Sequence, residues 1–284
     1  MFQPGLHAGR CALITGGGTG LGRTMADRLA SLGAELILVG RRAAVLQQAA
    51  AEITAAHGVR VRTAALDIRD AAAIDVALDG LWDDTPPDIL INNAAGNFTA
   101  RFETLSSRAV DAVLGIVLHG TSNMTLACGK RWLAQGMPAT VLSITVTYAF
   151  TGAPYVVPSA MAKAGVLAMT RSLAAEWGPR GIRFVAVAPG PFPTPGAWER
   201  LYPRPGLGSR METRPPLGRP GRHDEFADLV AYLLSPQAGF IHGEQIVIDG
   251  GNWLKNASSF SELDTLTDDD WQAMATSARA GKAP

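Results

Sequence analysis

The stretch from Ser143 to Gly165 holds the residue types best suited to handle a proton. It reads SITVTYAFTGAPYVVPSAMAKAG and carries one lysine, Lys163, on the predicted first turn of an Ala-rich helix. Ser159 stands one turn before that lysine, and Tyr148 stands eleven residues before Ser159, just beyond an apolar strand. A cation, a hydroxyl and a phenol at a strand end are the components of a proton-handling site beside a nucleotide.

The elements that position these residues alternate between short apolar runs and helical patterns. Strands are predicted over 11–15, 35–39, 61–66, 88–92, 140–144, 182–188 and 245–249. Helices are predicted over 20–32, 43–56, 70–82, 108–134, 160–177 and 225–234. Apolar strands that alternate with helices predict a parallel sheet covered on both faces. We therefore expect one α/β domain over residues 1–284, with a doubly wound sheet of seven parallel strands.

Two segments depart from this alternation. The segment 189–222 is rich in Pro, Gly and Arg and has no clear periodicity. It is too long for a simple connection, so we expect a lid over the site. The residues from about 252 to 284 form a C-terminal tail, in which Thr267 is predicted to cap a short helix opened by three aspartates.

Composition excludes several classes of function. The 284 residues have a formal net charge of +0, which argues against nucleic acid as the main partner. Cys11 and Cys128 are too few for a disulfide framework or a cysteine-based metal site, and they favour a reducing compartment. No apolar run approaches the eighteen or so residues of a membrane span. We expect a cytoplasmic protein without membrane insertion and without a metal.

A glycine-rich turn, TGGGTGLG over 15–22, follows the first strand and opens the first helix. Gly16, Gly20 and Gly22 would let the backbone approach a pyrophosphate, whose charge then meets the helix N-terminus. A tight turn without a ligand is the simpler interpretation of such glycines. The strand before and the helix after favour dinucleotide binding in a Rossmann-like fold.

The end of the second strand indicates which nicotinamide cofactor is used. An acidic residue there would bind the ribose 2′-hydroxyl of NAD, but this chain has Gly40, Arg41 and Arg42. Two guanidiniums can grip a 2′-phosphate, so NADP(H) is expected, although both arginines could simply be solvated. Asp67 ends the third strand and could meet the adenine or cap the next helix.

Four features together resemble the short-chain dehydrogenase/reductase family: the glycine turn, INNAAG (91–96), the lysine helix and PGP (189–191). That family uses an asparagine, a serine and a Tyr-x-x-x-Lys pair. Lys163 fits this pattern, but Ser159 stands at the tyrosine position, Val146 at the serine position and Val117 at the asparagine position. Tyr155 lies outside the expected turn, and we interpret it as a loop aromatic that packs on the sheet edge.

One branch of the family has this departure as its rule. NNAAGNF (92–98), SITVTY (143–148) and SAMAK (159–163) resemble 2,4-dienoyl-CoA reductases of the mitochondrial type. The resemblance continues through 172–178, 196–201 and 266–271. It implies NADPH-dependent reduction of a 2,4-dienoyl-CoA to a 3-enoyl-CoA. Even within this branch Val146 is a departure, because a threonine is frequent there.

The resemblance also implies roles for individual residues. Hydride adds at Cδ, and negative charge then spreads to the thioester oxygen, which needs an oxyanion hole. Asn97 and Tyr148 are implied as its donors, with the Cα proton coming from water. Lys163 would hold the nicotinamide ribose, and Ser159 would hydrogen-bond the cofactor. Taken alone, Asn97 could equally be a turn-forming residue.

The implied contacts complete the expected site. Cofactor contacts are expected from Gly16, Gly18, Thr19, Gly20, Leu21, Gly22, Arg41, Arg42, Asp67, Ile68, Asn93, Ala94, Ala95, Lys163, Pro189, Gly190, Pro191 and Phe192. Acyl-CoA contacts are expected from Arg69, Phe98, Ser106, Tyr148 and Arg200. The helices at 108–134 and 160–177 would build a homotetramer, as in the family. Another reductase with a rearranged site and a non-catalytic NADPH-binding scaffold remain as alternatives.

Overall fold

Seven strands form a single parallel sheet in the computed structural model, which describes residues 2–194 and 213–279. The strands are β1 (Cys11–Thr15), β2 (Glu35–Gly40), β3 (Val61–Ala65), β4 (Ile89–Asn92), β5 (Ala139–Ile144), β6 (Ile182–Pro189) and β7 (Glu244–Ile248). Their order across the sheet is β3-β2-β1-β4-β5-β6-β7, and every neighbouring pair is parallel. The predicted Rossmann-like fold is confirmed.

Helices cover both faces of this sheet. They are α1 (Gly20–Ser31), α2 (Ala43–His57), α3 (Ala71–Trp82), α4 (Ser107–Leu114), α5 (Gly120–Gln135), α6 (Tyr148–Thr151), α7 (Val157–Trp177), α8 (His223–Leu234), α9 (Asn252–Ala257) and α10 (Asp268–Arg279). Helix α7 begins three residues earlier than predicted, with a proline in its first turn, where the missing N–H costs no helical hydrogen bond. Lys163 therefore lies in the second turn of α7 rather than in its first.

The strands divide the core by alternation. Successive buried residues of β1 point to opposite faces, as Leu13 and Ile14 do. One face packs against α1, α2 and α8, and the other packs against α3, α5 and α7. Trp132 and Phe226, each at most 1% exposed, are the largest side chains buried on the two helical layers. Burial on both faces explains why the strands are apolar almost throughout.

The helix predicted over 108–134 is interrupted by a π-helical turn, Gly115–His119, that joins α4 to α5. Gly115 begins this turn and Gly120 follows it, but glycines at these positions do not by themselves specify a π turn. The whole stretch 107–135 is long and apolar enough to span a membrane, yet half of its most apolar window is buried in the fold. Such burial is what a helix packed on a sheet shows.

The structure describes part of the expected lid segment and part of the C-terminal tail. The expected lid, 189–222, lies outside the described residues between 195 and 212. In the tail, the Thr267 hydroxyl accepts the Asp270 N–H, and the Asp270 carboxylate accepts the Thr267 N–H. This reciprocal pair is the predicted cap of α10.

Candidate active site

The glycine turn leaves its helix end open to a ligand. The Gly16 N–H donates to the Val39 carbonyl, 2.7 Å away, which ties the turn to the end of β2. Thr19 precedes α1 and makes no side-chain cap, so no side chain there satisfies the first helical amides. A Cβ on Gly22 would lie 2.2 Å from the Gly16 carbonyl oxygen, so a side chain at this position would break the turn.

Thr15 and Asn93 hold this turn against the end of β4. The Thr15 hydroxyl accepts the N–H groups of Asn93 and Ala94, each at 3.0 Å. The Asn93 amide in turn donates to the carbonyls of Thr15 and Gly16. The side chain of Asn93 therefore braces the turn, a role that the expected cofactor contact at this position did not include.

A cleft of about 470 Å³ opens along the carboxyl edge of the sheet. It lies where β1 and β4 adjoin and the chain order reverses, which is where doubly wound folds bind ligands. Of the expected cofactor residues, those lining it are Gly16, Gly18, Thr19, Leu21, Gly22, Arg41, Arg42, Asp67, Ile68, Asn93, Ala94, Ala95, Lys163, Pro189, Gly190 and Phe192. Gly20 and Pro191 do not line it, and Pro191 faces a separate cavity of about 130 Å³.

Arg41 and Arg42 lie exposed at the mouth of the cleft, after β2. Within residues 2–194 and 213–279, neither guanidinium is paired with a carboxylate. Gly40 contributes no acidic side chain. The β2 end of the cleft therefore offers positive charge to an incoming anion, while the nearby Asp67 carboxylate is bonded to Arg69.

Asp67 and Arg69 are paired with each other at the end of β3. The Arg69 guanidinium donates to both Asp67 carboxylate oxygens at 2.6–3.0 Å, and this bond holds the pKa of Asp67 below its usual value. Asp70 rather than Asp67 caps α3, through the Ala73 N–H. Arg69 does not line the cleft, so the pair presents a neutralised surface beside it.

Asn97, Tyr148 and Ser159 form a hydrogen-bonded row in the cleft. The Tyr148 phenol oxygen lies 3.4 Å from the Asn97 Nδ2 and 3.2 Å from the Ser159 Oγ. The Asn97 Oδ1 accepts the Phe98 N–H, so its NH₂ group faces the phenol. Burial raises the pKa of Tyr148, so the phenol keeps its proton at neutral pH. Two donors thus stand side by side.

Lys163 lies one helical turn beyond Ser159 and is 6% exposed. Its ammonium donates to the Ile144 carbonyl at the end of β5. Burial lowers the pKa of the ammonium to about 8, which leaves most of it charged at neutral pH. The cleft therefore contains a buried positive charge one helical turn from Ser159, in addition to the exposed Arg41 and Arg42 at its mouth.

Two altered positions of the family pattern differ in their access to the cleft. Val146 lines the cleft, and Val117 is buried in the π turn. The neighbouring Thr145 hydroxyl bonds the Val187 carbonyl and the Gln245 amide, away from the row. Ile116, from the same π turn, reaches the cleft and packs within 3.3 Å of the Cβ position on Gly96. Sequence reasoning missed this contribution of Ile116.

The residues expected to bind the acyl-CoA do not lie together as the cofactor residues do. Phe98 packs against the small cluster around Val113 and Val117, and the Ser106 hydroxyl caps α4 through the Ala109 N–H. Arg200 lies outside the described residues. Tyr155 is 60% exposed with a left-handed φ of 66°, so it does not pack on the sheet edge.

Comparison with known proteins gives the family. A family model described as Enoyl-(Acyl carrier protein) reductase matches residues 16–252. The chain belongs to the short-chain dehydrogenase/reductase family and is an oxidoreductase with a nicotinamide-dinucleotide fold.

Individual relatives narrow this further. The probable 2,4-dienoyl-CoA reductase 3 of Caenorhabditis elegans, named as producing a (3E)-enoyl-CoA, is 42% identical over 95% of this chain and 90% of its own. The probable 2,4-dienoyl-CoA reductase of Bacillus subtilis, named as producing a (2E)-enoyl-CoA, is 40% identical over 86% and 97%. A crystal structure from Agrobacterium tumefaciens, described as a candidate 2-deoxy-D-gluconate 3-dehydrogenase with bound NADP, is similar with a TM-score of 0.80. It is 32% identical, over 89% of this chain and all of that one.

Proposed function

We propose that this protein reduces 2,4-dienoyl-CoA thioesters to 3-enoyl-CoA with NADPH. The observation that carries the proposal is the pair formed by the Asn97 amide and the Tyr148 phenol, 3.4 Å apart. Relatives named as 2,4-dienoyl-CoA reductases, at 40–42% identity, support the same substrate class.

The cleft fits NADPH by its shape and its charge. The uncapped amides of α1 suit a pyrophosphate, and Gly22 keeps the turn tight enough for the backbone to approach it. Arg41 and Arg42 suit a 2′-phosphate. The NADP bound to a 32% identical structure supports this choice. The cofactor supplies the hydride, and Lys163 holds a positive charge that suits its ribose hydroxyls.

Asn97 and Tyr148 would act on the thioester oxygen. After hydride arrives at Cδ, negative charge moves through the conjugated system onto this oxygen. Two donors held side by side can converge on one oxygen, and hydrogen bonds of this kind strengthen as charge develops. Since burial keeps the Tyr148 phenol protonated, it is ready to donate. The Ser159 hydroxyl orients the Tyr148 phenol. The charged thioester oxygen is stabilised by Asn97 and Tyr148.

The proton that completes the reaction decides the product. Protonation at Cα gives a 3-enoyl-CoA, whereas protonation at Cγ gives a 2-enoyl-CoA. We propose water as the donor at Cα, since the Tyr148 phenol is committed to the oxygen. The names of the two relatives differ on this point, so identifying the product is a necessary part of the test.

The remaining proposals concern the CoA site, assembly and location. Arg69 and Arg200 would meet the CoA phosphates, although Arg69 must first leave Asp67. The exposed Leu126 on α5 and Met161 on α7 support burial of these helices against a second copy, in a homotetramer. We propose a cytoplasmic location on the basis of the free, buried thiols.

The decisive experiment follows NADPH absorbance with 2,4-hexadienoyl-CoA, a 2-enoyl-CoA and a ketone panel. We expect turnover of the dienoyl thioester at least tenfold above the other substrates, and mass spectrometry with NMR should identify a 3-enoyl product. Turnover of a ketone alone would favour a rearranged carbonyl reductase. Tight NADPH binding without hydride transfer to any substrate would leave a scaffold.

A further inference from the structure

The catalytic phenol stands on an element that cannot hold itself in place. Helix α6 has four residues, Tyr148–Thr151; Tyr148 and Ala149 are partly buried, and Phe150 and Thr151 are exposed. A single turn is unstable alone because nucleating a helix costs more than its few hydrogen bonds return. The position of Tyr148 must therefore depend on what packs against α6 from outside.

Helix α7 is one such neighbour, and an aromatic contact supplies a second. Phe150, also on α6, meets the Trp253 ring edge-on, with the ring centroids 5.2 Å apart and an interplanar angle of 89°. This is a favourable geometry for two aromatic rings. Trp253 lies on α9, beyond the last strand, so a C-terminal element reaches across to the turn that carries the phenol.

The backbone of Trp253 is itself held by a buried aspartate. The buried Asp249 carboxylate accepts the Trp253 N–H at 2.7 Å and the Gly251 N–H at 2.9 Å. Gly250 and Gly251 both have left-handed φ angles, so the chain reverses sharply between β7 and α9. The indole is thus placed by a buried carboxylate and a glycine turn.

The same turn touches the end of the segment expected to act as a lid. A Cβ on Gly250 would lie 3.2 Å from the Pro215 Cβ, and one on Gly251 would lie 3.1 Å from the Pro216 Cγ. Pro215 is buried there. The turn that positions Trp253 is therefore packed against the part of the lid segment that the structure describes.

We propose that Trp253 is a positioning residue that holds Tyr148 in its catalytic geometry through Phe150. The inference rests on the proposed role of Tyr148. It assigns a positioning role to a residue of the C-terminal segment that does not line the cleft.

The test is a double-mutant cycle between Trp253 and Tyr148. Trp253→Ala should lower kcat about tenfold and leave the Kd for NADPH within twofold, whereas Trp253→Phe, which keeps a ring against Phe150, should retain at least half of the activity. In a Tyr148→Phe background, Trp253→Ala should cost less than twofold, because the group it positions is already gone. Trp271→Ala, in the exposed part of α10, is the matched control and should leave kcat unchanged.

A second measurement does not depend on activity. Burial raises the pKa of the Tyr148 phenol, so loosening α6 should lower it, and a spectrophotometric titration of phenolate, corrected with Tyr148→Phe, reports the shift. If Trp253→Ala does not fold, Phe150→Leu removes the same contact from the exposed side.

Three results would overturn the proposal. The first is a full Trp253→Ala loss in the Tyr148→Phe background, and the second is a rise in KM alone, which would mean that the indole contacts substrate. The third is a Tyr148 phenol pKa that is the same in Trp253→Ala as in the wild type. If the wild-type protein does not reduce a dienoyl-CoA, the proposed function fails, while the titration still decides whether Trp253 positions Tyr148.

Discussion

The two sides of the cleft are built in different ways. On the cofactor side, the turn after β1 is fixed by backbone hydrogen bonds and by the Thr15 and Asn93 side chains, all anchored to buried strands. On the substrate side, Tyr148 stands on one turn of helix whose neighbour Phe150 is 44% exposed. In the proposed function, nucleotide binding would thus depend on the sheet, whereas the chemistry would depend on a few side chains at its surface.

This difference explains how the chemistry can change without the fold. Ser159, Val146 and Val117 occupy the positions of three catalytic residues of the wider family, and yet every strand and most helices remain where the pattern predicts. A change at any of these three positions touches the cleft surface or one helix, not the sheet register. The reaction type can therefore be altered by side chains while cofactor binding is kept.

The largest effect should come from breaking the substrate side alone. Tyr148→Phe and Asn97→Ala should each slow hydride transfer by roughly a hundredfold or more, because each removes a donor that acts mainly in the transition state. The Kd for NADPH should stay within about twofold. Single-turnover stopped-flow absorbance measures the first quantity, and fluorescence titration measures the second.

Tyr155→Phe is the matched control, since it removes an exposed phenol on a neighbouring loop. Its hydride-transfer rate should equal that of the wild type. A fast Tyr148→Phe enzyme beside an inactive Ser159→Ala enzyme would mean that the serine, in the position of the family tyrosine, is the proton donor.

The next effect should come from breaking the cofactor side alone. Arg41→Ala should lower the preference for NADPH over NADH by about 10–100-fold, because a charge-assisted contact with the 2′-phosphate is lost. The rate at saturating cofactor should not change. Comparing kcat/KM for the two cofactors measures the preference.

Arg180→Ala is a suitable control for charge, because Arg180 is an exposed arginine just before β6, at the opposite edge of the sheet. Equal affinity of the unmutated enzyme for NADPH and NADH would refute the role assigned to the arginine pair.

The difference between the two sides of the cleft also explains which features could be predicted from the sequence. Strands and large helices were predicted within a few residues because burial on both sheet faces leaves a strong apolar pattern. The π turn at Gly115–His119 and helix α6 were missed, because the glycines that adjoin them do not specify a π turn or a single turn of helix. The pairing of Asp67 with Arg69 was missed for a different reason: residues two apart can bond only if the local backbone lets them, and spacing does not reveal that.

A smaller effect should distinguish the two neighbours within the hydroxyl row. Ser159→Ala should slow hydride transfer by less than about tenfold, since the serine orients the Tyr148 phenol and does not meet the developing charge. The test is the ratio of the Ser159→Ala and Tyr148→Phe single-turnover rates. A ratio below one would reverse their roles.

The smallest effect concerns Lys163 in the cofactor-free enzyme, where the two sides of the cleft meet. Burial lowers the pKa of its ammonium to about 8, whereas an unfolded lysine has a pKa of 10.5. Between these values the unfolded chain binds more protons than the folded one, so the free energy of unfolding should rise with pH. With these two pKa values for Lys163, the free energy of unfolding should rise by about 1 kcal/mol between pH 8 and pH 9.

The buried thiols limit the pH range in which the Lys163 effect can be measured, because burial raises the pKa of Cys11 to about 11 and that of Cys128 to about 12. The folded state keeps these two protons longer than the unfolded state, so their contribution falls as pH rises above about 9. Urea unfolding of the wild type and of Lys163→Met at pH 8 and pH 9 cancels this common term. The wild type should gain stability relative to Lys163→Met over this interval, and Lys130→Met, at an exposed lysine, should follow the wild type. Parallel curves for wild type and Lys163→Met would mean that the ammonium is not desolvated, and that its charge is stabilised by groups other than the Ile144 carbonyl.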